Sequence, residues 1–162
     1  MIVSPMPNYL ILTGYVIGGV ARGLAVGIVV AFISTFFADL NVHSYFILFS
    51  VVILTAILFS LGGFINAIYA NSFDDISIIP TFVLIPLTYL GGIFYSIDML
   101  PSFWQTVSLG NPILYMVNAM RYGMLGVSDI ELTTAFGIII LFVVVLFSFC
   151  LYLLSSGKGI RS

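Results

Sequence analysis

Charged side chains are scarce in this sequence. Asp, Glu, Lys and Arg make up only 6% of its 162 residues, whereas a soluble globular domain carries about 25%. Hydrophobic residues make up 62%, and the mean hydropathy is +1.27. A chain of this size cannot enclose so much apolar surface within protein, so much of that surface must face lipid. The sequence therefore predicts an integral membrane protein with no separate soluble domain.

Several classes of functional site are excluded by what the sequence lacks. The four basic residues are dispersed and form no patch that could bind nucleic acid. A single cysteine, Cys150, provides neither a disulfide framework nor a cysteine cluster for a metal. No glycine-rich loop is followed by Lys and Ser or Thr, the pattern that cradles the phosphates of ATP. We therefore expect no catalytic residue, no metal and no cofactor bound by this chain.

Four apolar runs are long enough to form transmembrane helices, which need roughly 20 residues each. In hydrocarbon the backbone must satisfy its own polar groups, so each run is predicted to be helical. The predicted spans are residues 9–38, 45–70, 76–95 and 133–154. Between the last two, residues 97–126 are predicted to form a re-entrant helical pair on the extracytoplasmic side. The expected fold class is an all-α polytopic membrane protein with one transmembrane domain, residues 1–162.

The re-entrant prediction depends on the polarity of residues 97–126. The stretch carries four polar side chains between two strongly apolar runs: Gln105, Asn111, Asn118 and Arg121. It is too polar for an ordinary lipid-facing span and too apolar for a soluble loop. Asn111 can cap a helix that begins at Pro112, and Met116 and Met120 then recur at helical spacing. The alternative is that residues 101–125 cross the membrane completely, which gives five spans.

Two basic residues, Lys158 and Arg161, closely follow the last span. Basic residues beside a span stay on the cytoplasmic side. With four spans both termini are then expected in the cytoplasm, and the re-entrant pair is expected outside. With five spans the two termini would lie on opposite sides.

The first span combines glycines with a charge. Its glycines recur at helical spacing and predict close packing against another helix, within the chain or between subunits. These are Gly14, Gly18, Gly19, Gly23 and Gly27. Arg22 lies among them, and an arginine at mid-depth needs a carboxylate, carbonyl groups or water. It could line a conduit or hold a subunit contact, or its side chain could extend to a nearby interface.

Three short motifs lie within the predicted re-entrant pair or just before it. They are Gly91-Gly92-Ile93-Phe94-Tyr95, then Leu100-Pro101, then Asn111-Pro112 followed by Ala119-Met120-Arg121. Together, and with Ser4-Pro5 near the start, they resemble the permease subunits of bacterial type-2 ATP-binding-cassette (ABC) exporters. In that family a span leads into an extracytoplasmic re-entrant pair, and a final span follows. Six spans and a cytoplasmic coupling segment are usual there, so this chain looks like a permease without its N-terminal third.

The resemblance implies a transport subunit of the bacterial inner membrane rather than an enzyme. Two permeases would pair, and a separate ATPase subunit would bind ATP and supply the energy. A substrate would then move outward between the two permeases or along the bilayer. A path lined by Phe, Met, Tyr and Ile would suit an amphipathic or lipidic substrate, which is a hypothesis from composition. The candidate path residues are Arg22, Phe94, Asn111, Pro112, Met116, Met120 and Arg121.

Two alternatives belong to other functional classes. A non-transport scaffold or accessory subunit would use the glycine-rich span to bind another membrane protein. An ion-coupled carrier or channel would need acidic side chains at mid-depth, but all six acidic residues flank the predicted spans. The re-entrant element favours the exporter over the scaffold.

Overall fold

The computed structural model describes residues 6–93 and 97–157, and this part of the chain contains helices and connecting turns without any β-strand. In chain order the α-helices are α1 (Asn8–Ser34), α2 (Tyr45–Tyr69), α3 (Phe73–Ile79), α4 (Ile85–Tyr89), α5 (Ser102–Leu109), α6 (Pro112–Leu125) and α7 (Leu132–Ser155). Within the described residues α1, α2 and α7 are long and apolar enough to cross a membrane. The predicted all-α polytopic class is confirmed.

The third predicted span, residues 76–95, differs from the prediction. A continuous helical stretch begins at Phe73, with α3, a wider π-helical turn (Pro80–Leu84) and α4 in succession. It ends at Tyr89, and residues 94 and 95 lie outside the described part. The wide turn is marked by the hydrogen bond from the backbone N–H of Ile85 to the carbonyl of Pro80. Proline removes a backbone donor and crowds the preceding turn, which accounts for the local widening.

The first span is also shorter than predicted. Helix α1 ends at Ser34, and residues 35–38 form a turn, so the helix does not reach residue 38. At about 1.5 Å per residue its 27 residues still extend about 40 Å, more than the roughly 30 Å of a bilayer core.

Helix α2 is the centre of the packing, because α1, α6 and α7 all contact it. The thiol of Cys150 in α7 lies 3.7 Å from the carbonyl oxygen of Leu61 in α2. At the other end, Leu132 and Phe136 face the first turns of α2. The two helices therefore run in the same direction. This common direction fits the four-span arrangement, since a fifth span would reverse α7 relative to α2.

The apolar core has two parts that share α2 and α7. One contains buried residues of α2, α6 and α7: Val51, Leu58, Tyr115, Met116, Ala119, Ala135 and Ile139. The other joins α1 to the second halves of α2 and α7: Leu12, Val16, Leu61 and Cys150. Most of the remaining apolar surface of α1 is exposed, as expected of a helix that faces lipid or another helix.

Two of the five glycines of α1 pack against α2. A Cβ atom added at Gly19 would collide with the hydroxyl of Ser60, and one at Gly23 would lie 3.4 Å from the Cβ of Ala56. The side-chain-free surface at these positions lets the two helices approach closely. Gly14, Gly18 and Gly27 would place a Cβ in open space instead. Their predicted role in packing therefore stays a prediction about contacts beyond this chain.

Replacing Gly19 should weaken the α1–α2 contact, with Gly14 as the matched control. We expect Gly19→Leu to lower the free energy of unfolding by about 1–3 kcal/mol, because the new side chain overpacks the contact with Ser60. Gly14→Leu should change it by less than about 0.5 kcal/mol. Denaturation of the purified chain in detergent micelles measures both. Equal midpoints for the two variants would contradict this account of the contact.

Candidate functional site

The predicted cap at the start of α6 is confirmed. The side-chain oxygen of Asn111 accepts a hydrogen bond of 3.0 Å from the backbone N–H of Ile113, and Pro112 occupies the first helical position. The amide nitrogen of Asn111 also donates to the carbonyl of Leu87 in α4, at 2.6 Å. Asn111 is buried, so one side chain both begins α6 and ties it to the preceding helix.

Asn118 holds the link between α6 and α7. It is completely buried, and its side-chain oxygen accepts from the backbone N–H of Asp129 at 3.0 Å and from the Ser128 hydroxyl at 3.4 Å. Its amide nitrogen donates to the carbonyl of Leu114, one turn earlier in α6. A buried amide with partners on both of its polar atoms is stable in an apolar surrounding.

Arg121 connects α6 to the segments on both sides of it in sequence. Its Nη2 donates to the carbonyl of Gly92 at 2.6 Å, and its Nη1 lies 3.3 Å from the Asp129 carboxylate. Both charged side chains are about one quarter exposed. The Arg121 guanidinium therefore has both an ion pair and a hydrogen bond within the protein.

The other end of α6 is attached to the start of α2. The backbone N–H groups of His43 and Ser44 donate to the carbonyls of Met124 and Gly123, at 3.2 and 2.9 Å. Gly126 ends the helix with a φ of +76°, a left-handed conformation that favours glycine. A Cβ there would also lie 3.0 Å from Nδ1 of His43. Helix α6 thus lies antiparallel to the first half of α2.

An apolar groove lies between α2 and α6. It has a volume of about 490 Å³ and is lined mainly by apolar side chains, with Arg121 among the lining residues. Met116, Met120 and Met124 contribute three flexible thioethers at intervals of one helical turn. On the opposite side the Thr55 hydroxyl is buried without a hydrogen-bond partner among the described residues. We call this feature the methionine groove.

The structure brings together only part of the predicted path. Met116, Met120 and Arg121 line the methionine groove, and Asn111 and Pro112 begin the same helix. Arg22 lies elsewhere, because within the described residues α1 contacts α2 and α7 but not α6. Phe94 lies outside the described residues.

Sequence reasoning missed several residues of the site. Asn118 was noted only for its polarity, and Thr55 and Asp129 were assigned no role. The sequence offers weak grounds for predicting the pair between Asp129 and Arg121, since opposite charges near a helix end and in the following loop can meet. Nothing in the sequence marks Thr55 as a residue of the site, because a single threonine in an apolar helix is common.

Comparison with known proteins agrees with the resemblance found in the sequence. The family model described as ABC-2 type transporter matches residues 1–125. The chain is 52% identical over 162 residues to the inner membrane transport permease YadH of Escherichia coli K12. It is 27% identical over 97 residues to nodulation protein J of Rhizobium leguminosarum bv. trifolii, covering 60% of this chain and 37% of that protein. No solved structure matches the chain.

The alignment with YadH covers different fractions of the two proteins. The alignment covers 100% of this chain but 63% of the relative. The chain therefore spans slightly less than two thirds of the length of the YadH proteins that it matches.

Removing the Arg121 side chain should loosen α6 from its neighbours. We expect Arg121→Ala to destabilise this region by about 2 kcal/mol, the typical value for a lost hydrogen bond to a charged group. Arg121→Lys should be destabilised less, because it keeps the positive charge, although its one ammonium nitrogen cannot replace both Nη1 and Nη2. Limited proteolysis of the segment around α5 and α6 measures the effect. Unchanged protease resistance in Arg121→Ala would show that the hydrogen bond to Gly92 does not hold the region together.

Gly126 and Gly110 provide a matched pair of helix-end glycines. Gly126→Ala should cost about 1–2 kcal/mol, because alanine disfavours the left-handed conformation that Gly126 adopts. Gly110 has a φ of −84°, and its added Cβ would lie 3.6 Å from the carbonyl oxygen of Val107, so Gly110→Ala should be tolerated. Hydrogen–deuterium exchange at the end of α6 should speed up only in Gly126→Ala. Equal exchange in both variants would contradict the prediction.

Proposed function

Because this chain belongs to the ABC-2 type transporter family, we propose that it is the membrane-spanning subunit of an ATP-driven exporter in a bacterial inner membrane. The observation that carries the proposal is the family match over residues 1–125, together with three helices that could cross a membrane. The YadH relatives are named inner membrane transport permeases, which supports a transport function and this location.

The proposed exporter needs a second kind of subunit. The sequence has no glycine-rich phosphate loop of the usual ATPase type, so ATP would be bound and hydrolysed by a separate ATPase. Two permease chains would pair around the transport path. In this arrangement both termini lie in the cytoplasm, and α5 and α6 lie at the outer side of the membrane.

We further propose an amphipathic or lipidic substrate. The methionine groove supports this substrate class, because flexible thioethers adapt to apolar groups of different shapes. The groove would contact the apolar portion of the substrate during export.

Transport can be tested with a pair of matched methionines. The chain and its proposed ATPase subunit would be reconstituted in vesicles, and ATP-dependent movement of a fluorescently labelled phospholipid would be measured. Met120→Gln should slow this movement about tenfold, equivalent to about 1.4 kcal/mol, because it places an amide in the groove. Met99→Gln, at an exposed position away from the groove, should have no effect.

Two outcomes would count against different parts of the proposal. ATP-independent or absent movement with the wild-type chain, for a panel of lipids, glycolipids and drug-like compounds, would reject the exporter. Equal rates for Met120→Gln and Met99→Gln would reject the groove as part of the path while leaving the exporter intact.

A non-transport scaffold or accessory subunit is the second candidate function. One observation favours it: the open face of α1 at Gly14 and Gly18 has space for another helix. In the vesicle experiment this candidate predicts that the chain is needed for the stability of its partner but not for movement of any compound.

A further inference from the structure

Arg22 is a charged residue near the centre of a membrane helix. It follows the first residue of α1, Asn8, by 14 positions and precedes the last, Ser34, by 12. With a rise of about 1.5 Å per residue, its Cα lies about 21 Å and about 18 Å from the two ends of the helix. If α1 is centred in the bilayer, Arg22 is close to the middle of the hydrocarbon core.

The rest of the described chain does not satisfy this charge. Arg22 is exposed on α1, and it makes no hydrogen bond or ion pair with any described residue. Its neighbours on the outer surface of α1 include Val26 and Val29, which are also exposed. A bare guanidinium among apolar side chains at this depth is costly, and such residues usually face a protein partner or water.

A second copy of the chain offers no carboxylate at the required depth. All six acidic residues flank the long helices or lie in the short connecting segments: Asp39, Asp74, Asp75, Asp98, Asp129 and Glu131. Copies in one membrane share the same orientation, so those residues keep the same depth in a symmetric pair. Charge complementarity therefore favours a partner with a different sequence.

We propose that the exposed face of α1 around Arg22 docks a transmembrane helix that presents a Glu or Asp side chain at mid-depth. The helix would come from a segment outside these 162 residues. Gly18 and Gly14 lie about one and two turns before Arg22 on this open face, and no atom lies within 4 Å of a Cβ added at either. They leave room for the backbone of the partner beside the charge pair. The proposal does not depend on ATP-driven export.

A defined peptide can test this docking. The purified full chain, labelled with a fluorescent donor, would be placed in phosphatidylcholine vesicles with an acceptor-labelled leucine–alanine peptide of about 20 residues, enough to span the bilayer. One peptide carries a central Glu, and its control carries a central Gln. Energy transfer gives the apparent affinity of each peptide for each variant of the chain.

The expected result is a difference that depends on both charges. The Glu peptide should bind the wild-type chain about tenfold more tightly than it binds Arg22→Leu, within the range of polar contacts between membrane helices. The Gln peptide should not distinguish the two chains. Arg22→Lys, which keeps a cation, should retain most of the affinity for the Glu peptide. A Glu placed one turn from the peptide end should behave like Gln.

Controls separate the proposal from loss of folding and from self-association. Circular dichroism and thermal melting should show that Arg22→Leu is folded, since leucine suits a lipid-facing helix. Equal affinity of the wild-type chain for the Glu and Gln peptides would overturn the proposal. So would a disulfide-linked homodimer of Gly18→Cys, made in a Cys150→Ala background, because a second copy would then cover this face.

Discussion

Water is absent from the hydrocarbon core of a bilayer, so a polar group there must find its partner in protein. Polar groups buried within protein have the same need, and α6 shows how it is met. Its buried amides, Asn111 and Asn118, each use both polar atoms in hydrogen bonds, and Arg121 is paired with a carboxylate and a carbonyl. Arg22 differs from Arg121, because no described residue satisfies its charge.

Helix α2 packs against α1, α6 and α7 and so joins them into one unit. Helix α6 packs against the first half of α2, where a Cβ added at Gly123 would lie 3.1 Å from the backbone nitrogen of Leu48. Helix α1 packs against the second half of α2 at Gly19 and Gly23, and α7 lies beside α2 along its length. Close approach at both ends depends on glycine, so small residues rather than large apolar ones set the spacing of these helices.

The sequence was sufficient for the fold class and for the cap of α6, because hydropathy and helix-start chemistry are local properties. Asn111 followed by Pro112 predicts a helix start regardless of what packs around it. The partners of Asn118 and Arg121 could not be predicted, since they depend on how the chain folds back after α4 and before α7. The π-helical turn at Pro80–Leu84 was missed because a proline predicts disruption without specifying its form.

The pairing of Arg121 also bears on what the methionine groove can hold. An unpaired guanidinium in the groove would favour anions, but the Asp129 carboxylate lies 3.3 Å from Nη1, and Nη2 donates to Gly92. The groove therefore presents thioethers and aliphatic groups more than an available charge. A surface of this kind suits the apolar part of an amphipathic molecule. It supports the proposed lipidic substrate class better than an ion, which would need charged or carbonyl ligands in place of its hydration shell.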